Sequence, residues 1–350
     1  LSITFDDIVT LAINDRKFRY WTEIRFTRAL DNIDTIEVRA PFDPEDAYHR
    51  STFKPISYQP LSVDINGEPV FTGTMVQCSP EMATDSNTVT LAGYSLPGVL
   101  GDCPPPASTL PSEYKGQNLR DIAAVCAEPF DIKTLHRVDP GPVFKEATRE
   151  PGDPVLPFLA ELAKERGQLI TSTMEGALLF WEAIEGGPAV ARLEQRRSPL
   201  LSVRPTFNPS QYYSEITGLR PMKVRAKKSV QFTARNTLLP DVLRPHIFTV
   251  DQGQDGDVQT AVKAKAGRMF ANMVSYEIEV ATWRDQKGNL WEPNTILKLY
   301  APGAMIYRET DFLIRQVVFR RGPSSETAAL NLILPGSFTE DNPGRFPWED

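Results

Sequence analysis

Few side chains in this sequence have the type and spacing to do chemistry. The three histidines, His49, His136 and His246, stand far apart. None lies in a metal-ligand or catalytic motif, so surface or structural roles are expected for all three. Glu277 and Glu279 lie at i and i+2 of a strand, on one face, and could imitate a glycosidase carboxylate pair. A solvated strand face is the simpler account. Cys78, Cys103 and Cys126 form an odd, widely spaced set without metal-ligand spacing or a disulfide framework, which points to a reducing assembly compartment. Cys126 sits on the apolar stripe of a helix and reads as core. Trp283 and Trp291 flank a turn and could form a sugar platform, but cross-strand packing is favoured. No Gly-rich phosphate loop follows a strand, and no Gly-x-Ser-x-Gly occurs. The expectation is no catalytic residue, no metal site and no cofactor.

Bulk properties narrow the class further. A chain of 350 residues suggests two or three domains. No apolar run is long enough for a membrane span of about 18 residues, so no stable membrane insertion is expected. The first stretch carries Asp6 and Asp7 and lacks a basic leader, so no signal peptide is expected. Net charge is −7. Most of the excess lies in residues 1–95, with 14 acidic and 8 basic side chains. That is not the basic footprint of a nucleic-acid binder. The 30 prolines exceed the ordinary share of about 5% and gather in connectors.

The elements that must position these residues are mostly strands. Tyr276–Trp283 alternates apolar and polar residues, the period of a half-buried strand. Lys287-Gly288-Asn289 reads as a hairpin turn into Thr295–Tyr300. Thr310–Arg320 and Thr327–Leu334 follow as further strands. The same order is expected earlier: Pro60–Ile65, the strong hairpin signal Asn66-Gly67, Val70–Val76, a polar turn, and Thr88–Tyr94. With Ile24–Ala29 and Asp34–Ala40, residues 1–95 make a first small antiparallel barrel. Residues 96–111 are a Pro-rich connector. Residues 112–200 read as an α+β domain. It holds a helix from Asn118 to Glu128, and a helix capped by Asp153 with Pro154 at its first position. A hairpin, 168–181, follows. Residues 201–335 form a second barrel that starts with Leu200–Val203 and Tyr213–Leu219. It carries a helical insertion near 257–274, capped by Asp257. Residues 336–350 are a tail. The predicted class is mainly β: two small antiparallel tube-like barrels with an α+β insert. The repeated strand order suggests duplication of one barrel.

In the tail, Phe346, Pro347 and Trp348 stand out. Pro343, Gly344 and Pro347 break regular structure, yet two large aromatics are costly to leave in water. Aromatics are typical interface anchors, so these three residues are expected to dock on a neighbour.

Several segments in order carry a family likeness: Asn118–Ala123, Arg166–Ser172, Gly176–Phe180, Asp285–Asn294 and Phe346–Asp350. With the arrangement of barrel, insert, barrel and tail, the chain resembles the central baseplate hub proteins of contractile-tailed, Mu-like phages. Related modules occur in the T4-type hub and in the upper part of type VI secretion spike proteins. The resemblance covers nearly the whole chain and is weakest at 41–59 and 223–256. It implies a structural homotrimer that adapts a sixfold tail tube, or a tube-initiating protein, above to a trimeric spike below. Other baseplate proteins would surround it, and DNA would pass through its channel without specific binding. It also implies a place in the virion tail baseplate, after assembly in the host cytoplasm. Two other classes compete: a tail-associated cell-wall hydrolase and a carbohydrate-binding β-protein.

Overall fold

The computed structural model describes residues 7–110, 112–220, 230–239, 241–250, 257–338 and 346–349. The first region contains β1 (Val9–Ile13), β2 (Arg16–Phe18), β3 (Glu23–Ala29), β4 (Thr35–Pro41), α1 (Ala47–Thr52), β5 (Pro60–Ile65), β6 (Glu68–Met82) and β7 (Asn87–Ser95). The middle holds α2 (Val99–Asp102), β8 (Glu113–Tyr114), α3 (Leu119–Ala127), β9 (Thr134–His136), β10 (Ala147–Thr148), α4 (Val155–Glu165), β11 (Leu169–Ser172) and β12 (Leu178–Trp181). Then follow β13 (Ala191–Glu194), β14 (Leu200–Phe207), β15 (Glu215–Arg220), β16 (Val230–Arg235), β17 (Pro245–Thr249) and α5 (Asp257–Met273). Last come β18 (Val274–Val280), β19 (Ile296–Ala301), β20 (Ile306–Arg321) and β21 (Glu326–Ile333).

The protein is mainly β, as expected, but the sheets do not separate into two closed barrels. One large sheet runs β14-β18-β21-β20-β3-β4-β7-β6-β5-β1-β2, with β19 beside β20 and β13 beside β19. Among the described residues no pairing closes it. The cause lies in β20. Its first half pairs with β19, and its second half pairs with β3 of the other region. The sheet therefore passes through from one region to the next.

Within that sheet an order is repeated. The first region runs β3-β4-β7-β6-β5; the second runs β14-β18-β21-β20-β19. The correspondence holds residue by residue. The Met75 amide donates to the Gln59 carbonyl at 2.9 Å, and the Ile314 amide to the Thr295 carbonyl at 2.9 Å. Each is followed by a bulge, between Met75 and Gln77 against β7 and between Ile314 and Gln316 against β21. A bulge bends and twists its strand at a set place, so both long strands turn at the same point. Arg25 stands opposite Glu37, and Arg204 opposite Glu277, at equivalent positions.

Local sequence explains much of this. Ile36, Val38 and Ala40 of β4 point inward while their neighbours face out. Asn66 and Gly67 both have positive φ, 55° and 87°, which suits the tight β5–β6 hairpin. Gly73 permits close approach of backbone, because a Cβ there would be driven into the Tyr94 carbonyl oxygen.

The α+β region has its own core, in which Leu119, Ile122 and Cys126 of α3 meet Leu159 and Leu162 of α4. The Asn118 side chain caps α3, accepting from the Asp121 amide at 3.0 Å. Asp153 does not cap α4; Pro154 holds the cap position, with no side-chain hydrogen bond. The expected hairpin is present as β11–β12, and β9 joins it in parallel. Polar bonds tie this region to β3. Thr171 Oγ1 donates to the Ala29 carbonyl at 2.7 Å, and Trp181 Nε1 to the Leu30 carbonyl at 2.8 Å.

Two other expectations are corrected. β15 does not begin the second repeat; it pairs with β16 and β17 in a separate sheet beneath α5. Its alternation is that of any half-buried strand, and local pattern does not name the partner. The turn at Gly288 (φ 85°) is real, but it does not join a hairpin. β18 pairs with β14 and β21, whereas β19 pairs with β13 and β20. The loop between them instead matches the place of α1 in the first region. The helix α5 begins at Asp257 and leads directly into β18, as expected of an insertion; the predicted Asp257 cap lies outside the described residues.

Candidate functional site

The residues that stand out structurally lie where the two repeats meet. Phe319 of β20 faces Phe26 of β3 in register, and the rings stack at 4.4 Å between centroids. Trp283 closes over both edge-on, at 5.5 and 5.6 Å. It is fully buried, and its indole N–H donates to the Thr327 carbonyl at 2.9 Å. The Arg321 guanidinium lies 4.5 Å from the Trp283 ring. It donates to the Asp7 carbonyl at 2.7 Å and forms an ion pair with Glu326. The Asp7 carboxylate accepts from Arg284 at 2.6 Å and from Asn66 at 2.7 Å. Burial works against the Asp7 charge, yet these hydrogen bonds and the charges of Arg284 and Arg321 hold its pKa below the usual carboxylate range.

A second cluster joins β3 to the α+β region. Asp34 is buried; its carboxylate lies 3.7 Å from Arg28, and its amide donates to Ser172 Oγ at 3.0 Å. Burial pushes its carboxyl up to about 7, against the opposing pull of Arg28.

The candidates for chemistry are placed apart. His49 accepts from the Asp43 amide at 2.9 Å. His136 stacks on Phe180 at 4.3 Å, and burial lowers its pKa to about 4. His246 stacks on Tyr213 at 4.7 Å beside a cleft of about 410 Å³ between α4, α5 and β17. That cleft is lined by Lys265 and Arg268, and burial lowers Arg268 to about 10. Among the described residues no His, Cys, Asp or Glu cluster has the makings of a metal site. Glu277 and Glu279 share the face of β18 away from the core, with Glu277 4.0 Å from Arg204. Trp283 and Trp291 are both fully buried, so neither forms a sugar platform. The cysteines are free, with Cys126 in the core.

Phe346, Pro347 and Trp348 pack on their own chain. Phe346 stacks on Phe270 of α5 at 6.0 Å and on Trp348 at 4.6 Å. Trp348 meets Phe207 at the end of β14 edge-on at 4.9 Å. The Tyr307 amide donates to the Pro347 carbonyl at 3.2 Å.

Sequence reasoning did not find the junction residues Phe26, Phe319, Arg321 and Asp7. One signal for the sheet's ends was available. Pro80 and Pro205 interrupt strand patterns, and proline inside a strand marks an edge.

Comparison of folds now defines the class. A 43 kDa tail protein of prophage MuSo2 from Shewanella oneidensis matches over 95% of this chain and 99% of its own, with a TM-score of 0.80 and 22% identity. The tail protein from Neisseria meningitidis MC58 matches over 96% and 99%, with a TM-score of 0.81 and 19% identity. A type VI secretion component from E. coli, itself described as similar in structure to T4 tail proteins gp27 and gp5, matches at a TM-score of 0.60 and 10% identity, covering 92% of this chain and 76% of its own. The fold is thus one of phage-tail proteins. Residues 97–182 match the second domain of the gp44-like baseplate hub family. The chain is 26% identical over 325 residues to the baseplate hub protein gp44 of Escherichia phage Mu, covering 88% of this chain and 83% of that protein. The sequence likeness is to baseplate hub proteins, and the fold is shared with phage-tail proteins and a type VI secretion component.

Proposed function

We propose that this chain is a structural baseplate hub of a contractile phage tail. It assembles as a homotrimer that adapts a sixfold tail tube above to a trimeric spike below, and it encloses a channel for DNA. The observation that carries this reading is the repeated strand order in one continuous sheet. Each chain offers two equivalent units joined head to tail, so a homotrimer presents a quasi-sixfold face while keeping threefold symmetry. Each unit is read as a tube-like half-barrel, residues 1–95 and 201–335, with 96–111 as connector, 112–200 as the α+β domain and 336–350 as tail. The net charge of −7 favours passage of DNA without binding, since phosphate contacts need basic side chains. Partners are the tube or its initiator, the spike and other baseplate proteins; assembly takes place in the host cytoplasm.

Measurement of mass in solution tests the reading, alone and with the spike protein. A trimer in either condition is the expected result. A chain that stays monomeric in both, or one that cleaves peptidoglycan, overturns it.

A further inference from the structure

The repeat leaves two strand edges open, and we infer that they fit each other: the outer half of β6 on one copy pairs antiparallel with β14 of the next. This inference rests on the trimeric hub reading and specifies its contact. Inside the chain, the β20 edge after the bulge is covered by β3 in the register Gln316–Ala29 to Arg321–Ile24. The strand equivalent to β20 is β6, whose residues 77–82 pair, among the described residues, only with β7. The strand equivalent to β3 is β14, which among the described residues pairs only with β18. Among the described residues, each of these edges lacks the strand partner that its counterpart has.

The internal register, carried onto these edges by the matching pairs, sets Gln77 opposite Asn208 and Cys78 opposite Phe207. It then sets Ser79 opposite Thr206, Pro80 opposite Pro205, Glu81 opposite Arg204 and Met82 opposite Val203. Charge agrees with this register. Glu81 and Arg204 are both exposed and of opposite sign. The face toward the core agrees as well. Met82 is 86% exposed and Phe207 40% exposed, whereas Val317 and Phe319, on the core face of the covered edge, are fully buried. Cys78, Pro80, Met82, Val203, Pro205 and Phe207 form an apolar row that a second copy would cover.

The prolines determine what kind of contact this is. The Ala83 amide bonds to the Ser86 carbonyl at 2.8 Å, and the Asn208 amide to the Met273 carbonyl at 2.8 Å. Strand alternation then turns the main-chain groups of Pro80 and Pro205 outward, toward the open edges. Neither residue can donate there. The ladder between copies therefore has a gap at its centre, where Phe26 and Phe319 sit inside the chain. Side-chain burial and the Glu81–Arg204 pair carry the contact, and the same gap discourages indiscriminate growth of the edge.

Ser79 and Thr206 form a non-hydrogen-bonded pair in this register, the kind that brings Cβ atoms to about 4.5–5.5 Å, close to disulfide range. The test is full-length Ser79→Cys/Thr206→Cys in a Cys78→Ser background, oxidised and read by non-reducing gel and native mass. Intermolecular disulfides that end at a covalent trimer are expected. Gln77→Cys/Arg204→Cys, four residues out of register, is expected to stay unlinked. Separately, Glu81→Arg should weaken self-association about tenfold, and adding Arg204→Glu should restore it. A trimer that forms without the 79–206 disulfide overturns this contact and leaves the hub reading standing. A 79–206 series that runs past three copies supports the contact and overturns the trimer. A chain that neither links nor associates overturns both.

Discussion

The join inside the chain and the open edges of the sheet use the same strand geometry but opposite side-chain chemistry. Where β20 meets β3, the centre holds Phe26, Phe319 and Trp283, all fully buried, with Arg321 tied to Asp7 and Glu326. At the equivalent positions of the open edges stand Pro80, Pro205 and exposed Met82. The first is a core and must form for the sheet to exist. The second is exposed surface in the single chain, and it is the surface that the proposed contact between copies would cover. One strand arrangement thus serves two purposes, and the residues at its middle decide which.

The largest effect is expected at the internal join. Trp283→Ala removes a fully buried aromatic that holds both repeats, and should cost about 3–5 kcal/mol in urea denaturation. A loss under about 1 kcal/mol would mean that the two regions do not depend on this contact. Next comes Arg321→Ala, which leaves the half-buried Glu326 without its partner. A loss of about 2 kcal/mol is expected, below that of a fully buried pair, and Arg321→Lys should recover only part of it because the planar fork is gone.

A smaller, pH-dependent effect separates the β3 side of the join from the rest. Asp34 in the folded chain holds its proton up to about pH 7, above its ordinary value of 3.8. The folded state therefore binds more protons than the unfolded state between these values. The stability from this group is full below about pH 4 and is lost as pH rises through 7. Asp34→Asn keeps the acceptor for the Ala29 amide, which lies 3.3 Å from Asp34 Oδ1, and should flatten this part of the profile. Thermal melts from pH 4 to 8 read it; an unchanged slope would show that Asp34 is not the titrating group.

The smallest effect on folding should come from Pro80→Val with Pro205→Val. Both sites lie on open edges, so monomer stability should move by no more than about 0.5 kcal/mol. Self-association should rise, because two donors are returned to the edges. Unchanged association would mean that the prolines do not limit pairing at these edges.

Much of this was legible in the residues themselves. The alternation of Ile36, Val38 and Ala40, the Asn66-Gly67 turn and the Asn118 cap are local signals, and each follows from backbone geometry over a few residues. The repeat read from the sequence matched the strand before Gly288 to β5, whereas the structure sets β19 in that place. The hub likeness was also carried by short ordered segments. Phe346-Pro347-Trp348 was expected to dock on a neighbouring chain; the structure seats Phe346 on Phe270 and Trp348 on Phe207 of the same chain. A local pattern reports that a residue wants cover and is silent about what provides it.

What the sequence alone determined was which segments become strands and helices and which faces turn inward. Only the tertiary structure decided which strand lies beside which. Phe26 and Phe319 meet in register although nearly the whole chain separates them. A strand edge offers the same N–H and C=O groups to any partner, so choice among partners rests on packing across the finished sheet. That is why the two barrels expected from alternation became one continuous sheet, and why β15 left the second repeat for the sheet under α5.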